Sequence, residues 1–238
     1  ILSLLLINLL FHYDILLLMK AMILAAGRGE RMRPLTDHTP KPLLEVKGKA
    51  LIVYHIKKLA SLGFKEIIIN IAHLGYKIQE ALGDGSRWGV SLIYSDEQEG
   101  GALESAGGIK KALPFFKDET FLVVNGDVWC DYEFDNSIEL GEDLAHLILV
   151  NNPDHNLDGD FGLENKRVLN EAKKMYTFSG IGYYSPKLFE DVELGKSALA
   201  PLLRKAIKHN KLSGSLHVGK WRDIGTPQRL EEVNSTFV

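Results

Sequence analysis

Short apolar runs and amphipathic stretches alternate along the first 150 residues of the chain. Apolar runs bounded by glycine or polar residues predict buried strands at residues 20–26, 65–71, 90–94, 121–124 and 144–150. Apolar positions at helical spacing predict helices at 50–62, 76–82 and 109–113, the last ending before Pro114. This order of elements predicts an α/β fold with right-handed βαβ units and a mainly parallel sheet.

The pattern changes after residue 150. Residues 161–169 and 176–184 have the composition of strands with no helix between them, which predicts a local antiparallel element. A helix at 198–208, a strand at 212–218 and a helix at 227–234 complete the chain. No repeat or linker interrupts it, so we expect a single domain over residues 19–238.

Residues 1–18 do not fit this domain. They are mostly Leu and Ile, interrupted by Asn8, His12 and Asp14, and they lack the positive start and cleavage site of a signal peptide. A carboxylate is costly inside a bilayer, which weakens the alternative of a membrane anchor. We expect residues 1–18 to be an apolar N-terminal extension outside the functional domain.

The overall charge and the single cysteine narrow the class of protein. The formal net charge of −3 over 238 residues gives no basic field, so we expect no nucleic-acid partner and no membrane partner. Cys130 has no second cysteine with which to form an internal disulfide, and it is expected to be a small packed side chain. This is typical of a reducing compartment, and we expect a cytoplasmic protein.

A glycine-rich, cationic loop follows the first predicted strand. Gly27-Arg28-Gly29 matches neither a Walker loop nor a dinucleotide fingerprint, whose last glycine is replaced by Met32. A tight turn without a ligand would also explain Gly-x-Gly. Three nearby cations, Arg31, Arg33 and Lys41, would repel one another unless they met an anion. The loop therefore indicates a site for a polyanion such as a triphosphate.

Two carboxylates suggest a metal ion beside that anion. Asp127 follows a buried strand and a glycine, where the carboxyl end of a parallel strand would face a ligand. Asp223 precedes Gly225 between a strand and a helix. Mg²⁺ prefers one or two carboxylates together with phosphate oxygens and water. The alternatives are a turn role for Asp127 and a salt bridge or helix cap for Asp223.

Together these segments resemble the sugar-1-phosphate nucleotidylyltransferases. The segment from Leu24 to Pro42 matches the family motif, which reads Leu-Ala-Ala-Gly-x-Gly-x-Arg, then Arg-Pro-Leu-Thr, then Pro-Lys-Pro. Glu30 stands where Thr or Ser is commoner. Further segments are most similar to the N-acetylmuramate α-1-phosphate uridylyltransferases of peptidoglycan recycling: residues 28–33, 103–108, 124–129, 177–181 and 198–203. The resemblance implies a Rossmann-like three-layer αβα fold with a mixed, mainly parallel central sheet.

The resemblance also implies residue roles. Arg31 and Lys41 would be catalytic, on the leaving pyrophosphate and between the two reacting phosphates respectively. The nucleotide would be bound by Ala25, Ala26, Gly27, Gly29, Glu104, Gly107 and Gly108. The sugar would contact Asn125, Gly162, Glu171 and Ser179, although the match is loose there and Glu171 could equally belong to an exposed turn. Asp127 and Asp223 would hold Mg²⁺.

The implied reaction joins an NTP and a sugar 1-phosphate into an NDP-sugar and pyrophosphate. UTP and N-acetylmuramic acid α-1-phosphate are the expected substrates. The alternatives are a mannose-1-phosphate guanylyltransferase, another hexose-1-phosphate nucleotidylyltransferase, and more distantly a non-catalytic sugar-nucleotide-binding regulatory homologue. Such a homologue would be expected to lose Arg31, Lys41, Asp127 or Asp223, and all four are present. The sequence does not determine the oligomeric state.

Overall fold

A nine-stranded mixed sheet forms the centre of the molecule. The structure is a computed structural model that describes residues 19–97 and 101–236, so the predicted extension at 1–18 lies outside the described residues. The strand order is β5 (Ser91–Asp96), β4 (Glu66–Ile71), β1 (Lys20–Leu24), β6 (Phe121–Asn125), β11 (Met175–Tyr184), β8 (Ala145–Val150), β12 (Leu212–His217), β10 (Arg167–Leu169) and β9 (Phe161–Glu164). All of these strands except β10 and β11 run in the same direction. The prediction of a mixed, mainly parallel α/β sheet is confirmed.

The elements have the following bounds. The strands of the sheet are β1 Lys20–Leu24, β4 Glu66–Ile71, β5 Ser91–Asp96, β6 Phe121–Asn125, β8 Ala145–Val150, β9 Phe161–Glu164, β10 Arg167–Leu169, β11 Met175–Tyr184 and β12 Leu212–His217. Two small ribbons pair β2 Glu45–Val46 with β3 Lys49–Ala50, and β7 Val128–Cys130 with β13 Trp221–Asp223. The helices are α1 Leu51–Ser61, α2 Gly75–Leu82, α3 Glu104–Phe116, α4 Leu199–Lys208 and α5 Pro227–Thr236.

Alternating side chains on the strands build one apolar core on each face of the sheet. On β1, Ala21 and Ile23 pack with α1 and α2 on one face, while Met22 packs with α3 and α4 on the other. Because both faces are covered by helices, the buried strands are apolar throughout, as the sequence pattern predicts. This arrangement is a three-layer αβα fold.

The second half of the chain differs in detail from the prediction. Residues 161–169 are not one strand but a hairpin of β9 and β10, because Asn165 and Lys166 both have positive φ and reverse the chain. The predicted antiparallel element is present where β9 pairs with β11 and β10.

Helix α3 continues past the point where the sequence predicts its end. Pro114 lies inside the helix, which ends at Phe116. Proline removes one backbone hydrogen bond, but so close to the helix end little of the ladder is affected. The last turn is also held by the ring of Phe116, which stacks on Phe121 with 4.0 Å between centroids. In the described parts of the chain, none of the helices is long and apolar enough to cross a membrane.

Candidate active site

An open cleft of about 360 Å³ lies at the carboxyl ends of the parallel strands β1, β4, β5 and β6. This is where a parallel sheet is expected to bind its ligand. The predicted site residues that line the cleft are Ala25, Ala26, Gly27, Gly29, Arg31, Lys41, Glu104, Asn125 and Asp127. These predicted residues come from four separate segments of the sequence and meet in one cavity.

The glycine-rich loop is shaped by a left-handed turn at Gly29. Its φ is +69°, and a Cβ there would lie 2.9 Å from the Thr36 methyl group and 3.3 Å from Lys41 Cβ. The buried Thr36 hydroxyl donates to the Gly29 carbonyl at 2.8 Å. Gly29 is thus needed both for the backbone turn and for the close packing that brings Lys41 to the cleft.

The three cations of this loop do not share one role. Arg31 and Lys41 line the cleft, whereas Arg33 does not. Arg33 Nε donates to Asp37 Oδ1 at 2.7 Å on an exposed surface, and this hydrogen bond holds the pKa of the Asp37 carboxyl below its usual range. The expectation that Arg33 needs an external anion is therefore wrong, because Asp37 four residues later supplies the negative charge.

Lys41 and Asp127 form an ion pair within the cleft. Lys41 Nζ donates to Asp127 Oδ2 at 2.5 Å, and the Lys41 side chain is 11% exposed. The cleft is lined by four carboxylates, from Glu30, Glu97, Glu104 and Asp127, against the two cations Arg31 and Lys41. With this excess of negative charge, a polyanion could enter only together with additional positive charge.

The β7–β13 ribbon brings Asp223 beside the cleft. The amide of Ile224 donates to the carbonyl of Asp127 at 2.8 Å, so the two predicted metal ligands lie at the same end of one ribbon. The Asp223 carboxylate accepts from Arg229 and lies 2.9 Å from Nε2 of His155. A Cβ on Gly225 would lie 3.0 Å from the Asp223 carboxylate and 3.2 Å from the Arg31 guanidinium.

These two carboxylates suit a metal ion that is shared with substrate. Within residues 19–97 and 101–236, no three His, Cys, Asp or Glu side chains form a ready metal site. Asp127 and Asp223 could supply the one or two carboxylates that Mg²⁺ takes from protein, while phosphate oxygens and water complete its shell. The donor set therefore fits a divalent cation carried in with a nucleotide.

A buried network of hydrogen bonds supports the cleft, and the sequence did not reveal it. Asn70, at the carboxyl end of β4, accepts from the Ala25 amide at 2.7 Å and donates to Glu97 at 2.8 Å. Glu97 is 2% exposed and also accepts from the Leu103 amide at 2.8 Å. The available signal was a polar residue near the end of an otherwise apolar strand, in the run EIIINI.

Gly107 and Gly108 lie behind the cleft rather than in its wall. Both are buried in α3 and are absent from the lining residues. A Cβ on Gly107 would lie 2.1 Å from the Gly195 carbonyl, and one on Gly108 would lie 2.6 Å from Glu97. The contacts that these glycines permit are with the protein itself. Gly108 makes room for the hydrogen bond between Asn70 and Glu97.

A second cavity of about 520 Å³ shares Glu104, Ser105 and Asn125 with the cleft. Only Asn125 of the predicted sugar-side residues lines it. Gly162 is buried in β9, Glu171 is exposed outside the cavity wall, and the buried Ser179 hydroxyl donates to the Ile148 carbonyl at 2.6 Å. Ser179 belongs to a bulge in β11, where the left-handed Gly180 makes room for Asn125.

A buried histidine lies close to the Asp127 turn but does not line the cleft. His55 of α1 is 4% exposed, and its Nε2 has no hydrogen-bond partner among the described residues. Burial lowers the pKa of His55 to about 4, although a hydrogen bond to the Val128 carbonyl opposes this shift. The ring is therefore neutral near pH 7. Burial likewise raises the pKa of the Cys130 thiol.

Comparison with known proteins identifies the family. A family model described as Nucleotidyl transferase matches residues 20–238. An N-acetylmuramate alpha-1-phosphate uridylyltransferase from Neisseria meningitidis is 52% identical over 91% of this chain and 97% of its own length. A UTP–glucose-1-phosphate uridylyltransferase from Synechocystis is 31% identical, and there the match covers 75% of this chain and 52% of the relative.

Solved structures agree with this result. A candidate glucose-1-phosphate thymidylyltransferase from Bacillus anthracis has a TM-score of 0.78 at 25% identity, covering 91% of this chain and 94% of its own. HddC from Yersinia pseudotuberculosis has the same fold, with a TM-score of 0.75 at 22% identity over 92% of this chain and all of its own. Members of the family typically use a divalent metal ion. The resemblance drawn from the sequence motifs is confirmed: the chain belongs to the nucleotidyl transferase family and is an enzyme of that class.

Proposed function

We propose that this enzyme transfers the uridylyl group of UTP to N-acetylmuramic acid α-1-phosphate in the cytoplasm, forming UDP-N-acetylmuramic acid and pyrophosphate. The observation that carries the proposal is the cleft in which Arg31, Lys41 and Asp127 meet the glycine-rich loop. The choice of substrates is supported by the relative of that activity, which is 52% identical over nearly its whole length.

In this reaction a phosphate oxygen of the sugar attacks the α-phosphorus of UTP in line. A new P–O bond forms while the bond from the α-phosphorus to the leaving pyrophosphate breaks. The attacking phosphate is already ionised at neutral pH, so the enzyme need not remove a proton. The obstacle is repulsion, since each close pair of unit charges costs about 4 kcal/mol at an effective dielectric of 20.

The residues of the cleft would lower this repulsion in separate places. Lys41 would leave Asp127 and bind between the α-phosphate and the sugar phosphate, and Arg31 would neutralise charge that develops on the pyrophosphate. Asp127 and Asp223 would hold Mg²⁺, which screens the phosphates and polarises their oxygens. The glycine loop, held at Ala25 by Asn70, would present backbone amides to the nucleotide.

A screen of pyrophosphate release tests the proposal. Purified enzyme would be assayed with each of four NTPs against N-acetylmuramic acid, N-acetylglucosamine, glucose and mannose 1-phosphates in the presence of Mg²⁺. We expect the highest kcat/KM with UTP and N-acetylmuramic acid 1-phosphate. A preference for GTP with mannose 1-phosphate, or for another hexose 1-phosphate, would reject the proposed substrates and retain the enzyme class.

Two variants test the assigned chemistry in the same assay. Lys41→Ala should lower kcat by about 10²–10³, the loss typical of one electrostatic donor. Asp127→Asn should lose its response to Mg²⁺ together with its activity. Lys57→Ala, at an exposed position of α1, provides a matched control and should retain the wild-type rate. Near-wild-type turnover of either cleft variant at saturating Mg²⁺ would contradict these roles.

A further inference from the structure

The second cavity contains an arginine without a carboxylate partner. Arg204 of α4 lines this cavity, and within the described residues it forms no ion pair with Asp or Glu. Its two terminal nitrogens lie 3.4 Å from neutral acceptors, the Asn170 side chain and the Asp160 carbonyl. The guanidinium carbon lies 5.1 Å from the centre of the Phe161 ring. Arg204 is thus oriented by weak neutral contacts and its charge is not neutralised.

The remaining wall of this cavity combines apolar and acidic side chains. Phe161, Phe178, Leu199 and Leu203 form its apolar part. Asp160 Oδ2 is already used, because it accepts from the Phe178 amide at 2.8 Å and from Asn156 at 3.3 Å. Glu104 lies where this cavity joins the main cleft. Arg204 is therefore the one cation lining this part of the described structure.

We propose that Arg204 determines specificity by binding the lactyl carboxylate of N-acetylmuramic acid 1-phosphate. This inference rests on the proposed function. The lactyl ether at C3 carries a methyl group and a carboxylate, which match the apolar wall and the free guanidinium. The cavity joins the cleft through Asn125, so one substrate can place its phosphate beside Lys41 and its lactyl group beside Arg204.

The test removes the charge from the enzyme and from the substrate in turn. Wild type, Arg204→Gln and Arg204→Lys would be assayed with UTP and either N-acetylmuramic acid 1-phosphate or its lactyl methyl ester. A charge-assisted hydrogen bond predicts that wild type prefers the free acid by about 10- to 100-fold in kcat/KM. Arg204→Gln should lose this preference, because its kcat/KM should fall about 10- to 100-fold more on the acid than on the ester, and Arg204→Lys should retain part of the preference.

Lys205→Gln is the matched control. Lys205 is the next residue of α4 and is exposed like Arg204, but it pairs with Asp191 and does not line the cavity. This variant should keep the full preference for the acid. Thermal melting of each variant would confirm that α4 and β9 remain folded.

The outcomes separate this inference from the proposed function. If Arg204→Gln keeps the preference for the acid, or loses rate equally on acid and ester, the specificity role is overturned and the proposed reaction stands. If wild-type enzyme does not use N-acetylmuramic acid 1-phosphate but is active on another sugar 1-phosphate, both are overturned.

Discussion

Arg31 and Arg33 lie two residues apart and have different partners. Arg33 is bound to Asp37, whereas Arg31 lines the cleft and has no ion-pair partner within the described residues. We therefore expect Arg31→Ala to lower kcat by about 10²–10³, because a donor to the developing charge is lost. Arg33→Ala should leave kcat within about twofold, since exposed ion pairs contribute little. Steady-state kinetics of the two variants would show this, and equal losses would contradict the division of roles.

The buried His55 leads to a prediction of how the stability of the protein depends on pH. Its pKa is about 4 in the folded protein, against 6.5 for an unperturbed histidine. The unfolded chain therefore binds a proton that the folded protein does not, and stability falls as the pH is lowered from about 6.5 to about 4. This difference in pKa corresponds to about 3 kcal/mol in the free energy of unfolding.

His55→Gln isolates this contribution, because glutamine cannot titrate and can still donate to the Val128 carbonyl. Urea unfolding of both proteins at pH 7.5 and pH 4.5 would give the four free energies of unfolding. We expect the wild type to lose about 2–3 kcal/mol more than the variant between these two pH values. Parallel losses in the two proteins would show that His55 does not titrate in this range.

Among the elements, the bulge in β11 shows how a local irregularity makes room for a side chain, Asn125, that lines both cavities. Gly180 has φ +78°, and a Cβ there would lie 2.6 Å from Asn125 Nδ2. Gly48, in the β2–β3 turn, has φ +70° with no atom within 4 Å of its Cβ position. The two glycines therefore share left-handed backbone strain and differ in steric contact.

Alanine at each position separates these effects. Gly48→Ala should lower the free energy of unfolding by about 1–2 kcal/mol, because alanine is strained in the left-handed backbone conformation. Gly180→Ala should cost about 1–3 kcal/mol more because of overpacking, and it should also raise KM for the sugar phosphate as Asn125 is displaced. Urea unfolding and kinetics would measure both. Equal costs would mean that the backbone at 180 relaxes without moving Asn125.

The elements also show what the sequence could and could not predict. Strands such as β1 and β4 were found because they are buried on both faces and therefore apolar throughout. The β9–β10 hairpin and the end of α3 were missed, since two positive-φ residues and a ring stack decided them locally. Asn70 and Glu97 were missed as a pair because the sequence places them 27 residues apart and their contact depends on strand order. The predicted roles of Gly107, Gly162 and Ser179 in ligand binding stay predictions.

At the scale of the whole molecule, the divalent metal should act on catalysis and not on folding. The described residues contain no three-ligand metal cluster, and their two main cores are built from apolar contacts. We expect EDTA to abolish activity and to change the melting temperature by less than about 1 °C. Metal-dependent folding would instead give a large decrease in melting temperature.

The nucleotide–metal complex should have the opposite effect on stability. A ligand at 100 times its Kd stabilises the folded state by about 2.7 kcal/mol, and for a chain of this size that raises the melting temperature by about 5–10 °C. UTP with Mg²⁺ should produce this shift, and UTP with EDTA should not. Thermal scanning of the enzyme with and without UTP, each in Mg²⁺ or in EDTA, would test these expectations. A full shift with UTP in EDTA would contradict them.

The excess of carboxylates in the cleft has a consequence for how the enzyme responds to nucleotide supply. Free UTP carries its full negative charge toward a surface that is already negative, whereas the magnesium complex arrives with half of that charge offset. The enzyme should therefore respond to the concentration of the complex and be nearly insensitive to uncomplexed UTP as a competitor. Turnover would then follow the free magnesium level as closely as the nucleotide pool.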